Sequence, residues 1–279
     1  MRIVQISDTH LSHLGGTTTA NLRLIAAWVN ATLRPDLIVN TGDVVAASPD
    51  QPLDRDWARE VHAAFEAPVV YLPGNHDVGE PGPAPWKGLG ITSSRVAAHR
   101  EVYGPDCFAV RDDGWLVIGI NSELLGSGLD EEDAQWRWLE AELAAPGPQR
   151  VLLFCHKPLW PPRTTPSEAA LTVPGQARER LLALAGDRLA AVGSGHLHRY
   201  RRRPRPERPQ LLEVWAPSTG FIGQTESESP YFEQLGVVEW RLDGDEVNAW
   251  FRAPSNLEER EGSDIDEVMA TVAALDAAG

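Results

Sequence analysis

Short apolar runs rich in β-branched residues alternate with longer amphipathic stretches from Arg2 to about Gly193. Arg2–Ile6, Asp36–Asn40, Pro68–Leu72, Arg150–Cys155 and Leu189–Gly193 read as strands. Ala20–Leu33, Leu53–Phe65, Glu131–Leu143 and Gln176–Leu184 read as helices. In the first of these, Leu22, Leu24, Ile25, Trp28 and Val29 recur at the spacing of one helical face. Such alternation builds parallel sheet from strand–helix–strand units and predicts an α/β fold. One hairpin interrupts it, where Phe108–Val110 and Trp115–Ile120 flank the turn signal Asp112-Asp113-Gly114. Later the pattern becomes consecutive strands, Leu211–Trp215, Leu235–Leu242 and Glu246–Phe251. Ser263 then reads as the cap of a last helix, with Ile265, Val268, Met269, Val272 and Leu275 on its apolar side.

With 279 residues, 42% of them hydrophobic, the chain has enough apolar surface to bury a core. No run approaches the roughly 20 apolar residues of a membrane span. Met1-Arg2 leads straight into Ile3-Val4-Gln5-Ile6, which is too short for a secretory apolar region. With only Cys107 and Cys155 in the chain, a reducing, cytoplasmic setting is expected. The net charge of −15 opposes binding to nucleic-acid polymers and anionic membranes, so a small molecule is the expected partner. Part of that charge is concentrated after Ser255, where seven acids face one arginine. A main domain of residues 1–253 followed by an acidic helical tail of 254–279 is therefore expected. Arginines cluster at 199, 201, 202, 203, 205 and 208. They read either as cationic charge beside a site or as a solvated hairpin.

Five short segments share a feature: each puts an acid, histidine or asparagine directly after an apolar strand. They are Ser7-Asp8-Thr9-His10, Gly42-Asp43, Gly74-Asn75-His76-Asp77, Cys155-His156 and Gly195-His196-Leu197-His198. Any one of them alone is an ordinary turn. In an open α/β sheet, however, the carboxyl ends of the strands form one crevice, so all five should converge. Buried together without a cation, they would leave polar groups unpaired at a cost of several kcal/mol. Imidazole and carboxylate ligands suit Mn, Fe, Zn or Co.

The ordered set Asp-x-His, Gly-Asp, Gly-Asn-His-Asp, His, Gly-His-x-His resembles the calcineurin-like metallophosphoesterases, from Ile3 to about Thr219. The resemblance implies a two-sheet β-sandwich flanked by helices, in four α/β/β/α layers. It also implies two divalent or mixed-valence metal ions, one held by Asp8, His10, Asp43 and His198, the other by Asp43, Asn75, His156 and His196. Asp43 would bridge. Two ions about 3.5–4 Å apart hold a bridging hydroxide that attacks phosphorus in line. His76 would face the leaving oxygen, and Asp77 resembles the acid that orients such a histidine. Purple acid phosphatases carry a tyrosine after Gly-Asp-x-x, where this chain has Ala46. Lys157, Trp86 and Trp160 stand next to the motifs, in or beside proline-rich loops, and are candidates for contact with substrate. The expected activity is hydrolysis of a small phosphodiester, such as a cyclic nucleotide, or of a phosphomonoester. Tyr103-Gly104-Pro105-Asp106 also resembles the cytosolic protein phosphatases of the superfamily, which supply the alternative. A non-catalytic scaffold is disfavoured because every ligand position is filled, and a nuclease because no basic stripe is present.

Overall fold

A computed structural model describes residues 1–83, 85–147, 150–161, 171–223 and 234–278. Among these residues, eleven strands form two mixed sheets. The first orders β11 (Glu246–Arg252), β10 (Val237–Asp243), β1 (Arg2–Ile6), β2 (Leu37–Asn40) and β3 (Val69–Tyr71). The second orders β4 (Phe108–Asp112), β5 (Trp115–Gly119), β6 (Arg150–Phe154), β7 (Leu189–Ser194), β9 (Arg208–Trp215) and β8 (Arg201–Arg205). β1, β2 and β3 are mutually parallel, and so are β5, β6, β7 and β9. The antiparallel β10–β11 and β4–β5 hairpins are those read from the sequence.

Period-two burial explains the layering. Along β1, Ile3 faces a core between the sheets with Val39, Phe154, Val214 and Trp240, while Val4 and Ile6 face outward. That outer face is covered by α1 (Thr17–Trp28) and α2 (Pro52–His62) through Leu22, Ile25, Ala58 and Val61. The second sheet's outer face is covered by α5 (Asp130–Ala144) and α6 (Gly175–Ala185) through Trp136, Leu139 and Leu181. The result is the expected four-layer sandwich. Two short helices, α3 (Asn75–Val78) and α4 (Ser93–Tyr103), lie in the β3–β4 connection. No helix among the described residues is long and apolar enough to cross a membrane.

Gln5 ties the sheets together at one edge. Its amide donates to Thr41 Oγ1 at 3.1 Å and to the Ser194 carbonyl at 3.2 Å, and its oxygen accepts from Trp240 Nε1 at 3.0 Å. A buried amide with its polar atoms used in this way pins one packing of the two sheets.

Several sequence readings are corrected. Ser263 does not cap the last helix: it sits in a turn at Gly262–Asp264, and α7 runs from Asp266 to Ala278 with Met269 exposed. The arginine cluster is a hairpin, β8–β9, but not a solvated one. Arg203 and Arg205 pair with buried Glu213, and Arg201 lies over the Trp215 ring at 4.5 Å. Both cysteines are free.

His62 links fold stability to pH. It is fully buried as a neutral ring, donating from Nδ1 to the Ala58 carbonyl at 2.7 Å and contacting the Asn40 amide through Nε2 at 3.0 Å. Burial pulls its pKa from 6.5 to about 4, against the Ala58 hydrogen bond. The unfolded chain therefore takes up this proton first. The contribution is present above pH 6.5 and is lost as pH falls from 6.5 to 4, with a size of about 3 kcal/mol. In thermal melts, His62→Gln should flatten the decline of Tm across that window; an unchanged slope would refute the assignment.

Candidate metal centre

Because β1, β2, β3, β6 and β7 run parallel within their sheets, their carboxyl ends open onto one edge of the sandwich. Asp8 and His10 follow β1, Asp43 follows β2, Asn75 and His76 open α3 after β3, His156 follows β6, and His196 and His198 follow β7. The five segments meet there. Asp8, His10 and His198 form one cluster, and Asp43, His156 and His196 a second. Asn75 joins the second, its Oδ1 lying 3.2 Å from His156 Nε2. Asp43 stands between the two, with Oδ2 at 3.3 Å from His156 Nε2 and 4.0 Å from His10 Nε2.

Ring orientation tests whether cations fit. His10 Nδ1 lies 3.1 Å from the Ala46 carbonyl, His198 Nδ1 3.1 Å from that of Phe221, and His156 Nδ1 2.7 Å from that of Thr41. A carbonyl only accepts, so each Nδ1 carries the proton and each neutral ring keeps its lone pair on Nε2. Yet the Nε2 atoms of His10 and His198 are 3.0 Å apart, and His156 Nε2 is 3.1 Å from His196 Nδ1. The two lone pairs of His10 and His198, facing each other in a dry pocket, repel, and a shared cation removes the repulsion. Backbone carbonyls fixing the far ring nitrogen are the usual support of a histidine ligand. The donor set therefore fits two metal ions. In the bare chain a proton takes part of that role. Burial opposes charge on His156, but the Asp43 carboxylate beside it pushes its pKa up to about 10. Burial, with His198 and His76 adding to it, holds His10 down to about 3.

The backbone bends sharply to deliver these groups. Asp8, His10, Asp43, His196 and His198 all have positive φ, between 46 and 70°. L-residues avoid this region, at a cost of about 1–3 kcal/mol each, and such strain concentrates at functional sites. Gly74 and Gly195 are there for close approach: a Cβ at Gly74 would overlap the Asp43 carboxylate, and one at Gly195 the Ser7 hydroxyl. Neither the strain nor the role of Phe221 was legible in the sequence. The Phe221 ring packs 4.5 Å from His10 and 4.7 Å from His198. Its loop is held by the Ser218 hydroxyl, which donates to the Asp8 carbonyl at 2.7 Å. The run Pro217-Ser218-Thr219-Gly220 after β9 is another strand-end turn, and carries no ligand type to mark it.

Of the other expected residues, His76 belongs to the centre. Its backbone N–H donates to Asp43 Oδ1 at 2.8 Å, and its Nε2 lies 3.9 Å from Asp43 Oδ2. Trp86 covers it, with ring centroids 5.0 Å apart. Three expectations are corrected. Asp77 does not orient His76: its carboxylate accepts backbone N–H groups of Gly74, Val44 and Val45 at 2.8–3.1 Å, which locks the Asp43 loop onto the His76 turn. Lys157 is not free for substrate. It is 3% exposed, with Nζ at 2.9 Å from the buried Glu123 carboxylate and 3.7 Å from Glu80. Trp160 packs on the core under the second sheet, and the Arg205 guanidinium lies 4.4 Å from its ring. Part of its proline-rich loop, 162–166, falls outside the described residues.

A family profile, calcineurin-like phosphoesterase, matches residues 1–200. The chain is 28% identical over 221 residues to a probable glycerophosphodiester phosphodiesterase, GpdQ, of Arcobacter nitrofigilis, covering 71% of this chain and 72% of that one. It is 31% identical over 168 residues to the 3′,5′-cyclic adenosine monophosphate phosphodiesterase CpdA of Escherichia coli K12. That match covers 57% of this chain and 56% of the relative's own length. Among solved structures, a dimetal phosphatase from Danio rerio superposes with a TM-score of 0.57 at 14% identity, over 91% of this chain and 96% of that one. That likeness concerns the fold.

Proposed function

The chain belongs to the calcineurin-like phosphoesterase family, hydrolases of phosphoric ester bonds, and we propose that it cleaves a small phosphodiester where Asp43 joins its two clusters. The observation that carries this reading is the position of Asp43 between the two clusters, with His76 beside it. Asp8, His10, Asp43 and His198 would hold one ion, and Asp43, Asn75, His156 and His196 the other. The two ions, of Mn, Fe, Zn or Co type, supply Lewis-acid polarisation of phosphoryl oxygens and activation of water when bound.

The chain's own groups do the rest. The carbonyls of Ala46, Thr41 and Phe221 fix three imidazoles in one tautomer, so that the donor set is preorganised. Asp77 holds the Asp43 and His76 loops in register. His76 would give the leaving ester oxygen the proton it needs. The Trp86 ring narrows the approach to it. With Lys157 neutralised by Glu123, no free lysine is added beside the second cluster, which favours a singly charged diester over a doubly charged monoester. The relatives named as phosphodiesterases support the same choice. The net charge of −15 supports a small ester over a nucleic-acid polymer, and two free cysteines support a reducing, cytoplasmic setting.

A hydrolysis panel of the Mn-loaded protein tests the reading, using bis-p-nitrophenyl phosphate, cyclic AMP, p-nitrophenyl phosphate and a phosphopeptide. Diesters should lead. A dominant rate on the phosphopeptide would replace this reading with a protein phosphatase. A second test uses iron. Ala46 occupies the position of the purple acid phosphatases' tyrosine, and its carbonyl faces His10 Nδ1. The iron-loaded protein should lack an intense tyrosinate charge-transfer band. A strong visible band that arrives and leaves with iron would contradict the ligand set.

A further inference from the structure

The segment that its composition sets apart as an acidic tail is laid across the start of α1, the Phe221 loop and the turn that carries Trp86. Glu258 N–H donates to Asn21 Oδ1 at 2.9 Å, and Asn21 Nδ2 donates back to the Glu258 carbonyl at 3.0 Å. Next, Ile222 N–H donates to the Arg260 carbonyl at 2.9 Å, and Gly262 passes so near the Phe221 ring that a Cβ there would meet it at 2.9 Å. Phe221 is the ring seated against His10 and His198. Further on, Ile265 and Val268 are buried, and Glu267 Oε1 accepts the Thr18 N–H at 3.0 Å. Glu267 thereby caps α1, whose own N-cap residue, Gly16, has no side chain to do so. The 13 residues of α7 span about 20 Å. Near its far end Asp276 pairs with Lys87, the neighbour of Trp86.

We infer that residues 258–276 act as a clamp that holds Phe221 and Trp86 against the site histidines, and so select the size of ester that reaches His76. The size selection rests on the phosphoesterase reading; the clamping does not. Glu267 is the anchor, because its carboxylate is buried and accepts the Thr18 backbone N–H at the start of α1. Lys87–Asp276 is exposed and therefore the weak end, from which the Trp86 turn can lift.

The full chain carries the test, with Glu267→Ala against Glu267→Gln, which keeps the acceptor oxygen, and Asp276→Lys against Asp276→Lys combined with Lys87→Asp. Amide hydrogen exchange is read in the Mn-loaded protein. Glu267→Ala should speed exchange at residues 85–91 and 218–223 as well as in α7, and Glu267→Gln should restore most protection. Faster exchange confined to 258–278 would overturn the clamp. The kcat/KM ratio of thymidine 5′-(p-nitrophenyl phosphate) to the smaller methyl p-nitrophenyl phosphate reads selection. It should rise at least about fivefold in Glu267→Ala. It should rise in Asp276→Lys and return in the charge-swapped pair. An unchanged ratio, or equal loss on both esters, would overturn the selection. If the wild type hydrolyses neither ester, the phosphoesterase reading fails, and the exchange pattern alone decides the clamp.

Discussion

His76→Ala is expected to keep both metal ions and to cut hydrolysis of alkyl phosphodiesters by about 10²–10⁴, while aryl esters lose far less. The imidazole lies beside Asp43, and in the proposed ligand sets it is the one motif histidine left without an ion. Only its backbone N–H bonds to Asp43, and alanine keeps that bond. The substitution therefore removes a proton source and leaves the donor set in place. An alkoxide, such as the ribose oxygen released from a cyclic nucleotide, is a poor leaving group and needs the proton. A p-nitrophenolate departs without it. Metal content by elemental analysis and kcat/KM on the two ester types decide the matter. Loss of an ion, or an equal drop on both esters, would show that His76 serves the metal centre instead.

Asp43→Ala should have a larger effect and a different pattern. Asp43 belongs to the second cluster and stands between the two, facing His156 and His10, and it also receives the His76 N–H. Its removal should lower the metal content from about two ions to one or none, and depress alkyl and aryl esters alike. The loss should exceed the about 10²–10³ typical of one missing electrostatic contact. His156→Ala and His196→Ala should follow the same pattern through the second cluster alone. Without metal, Asp43→Ala should also melt lower, because the buried His156 ring loses the carboxylate that holds its pKa near 10. An Asp43→Ala protein that still binds two ions would end the bridging assignment.

Much of the fold and nearly all of the donor set are legible in the order of the residues. The reason is that both are local. Period-two burial marks Ile3 and Val4 for opposite faces of one strand, and parallel strands put their carboxyl ends on the same side. A histidine or aspartate directly after such a strand has one place to go, and seven ligand candidates went there, with His76 beside them. Helix boundaries slipped where the cap came from far away. α1 starts at Thr17 because Glu267, about 250 residues later, supplies its acceptor.

What the sequence alone determined is the type, order and meeting edge of the ligands. What only the tertiary structure decided is which neighbouring polar and aromatic groups remain available to a substrate. Lys157 adjoins a ligand but is claimed by Glu123 and Glu80, which other loops bring to it. Asp77 adjoins His76 but is claimed by the backbone of Val44 and Val45. Trp160 follows the His156 motif but is claimed by the core and by Arg205 of β8. Trp86, in a loop that looks no different in sequence, lands on His76. A ligand's direction is set by its own strand. A flanking charge or ring goes instead to whichever partner lowers its desolvation cost most, and that partner lies far along the chain.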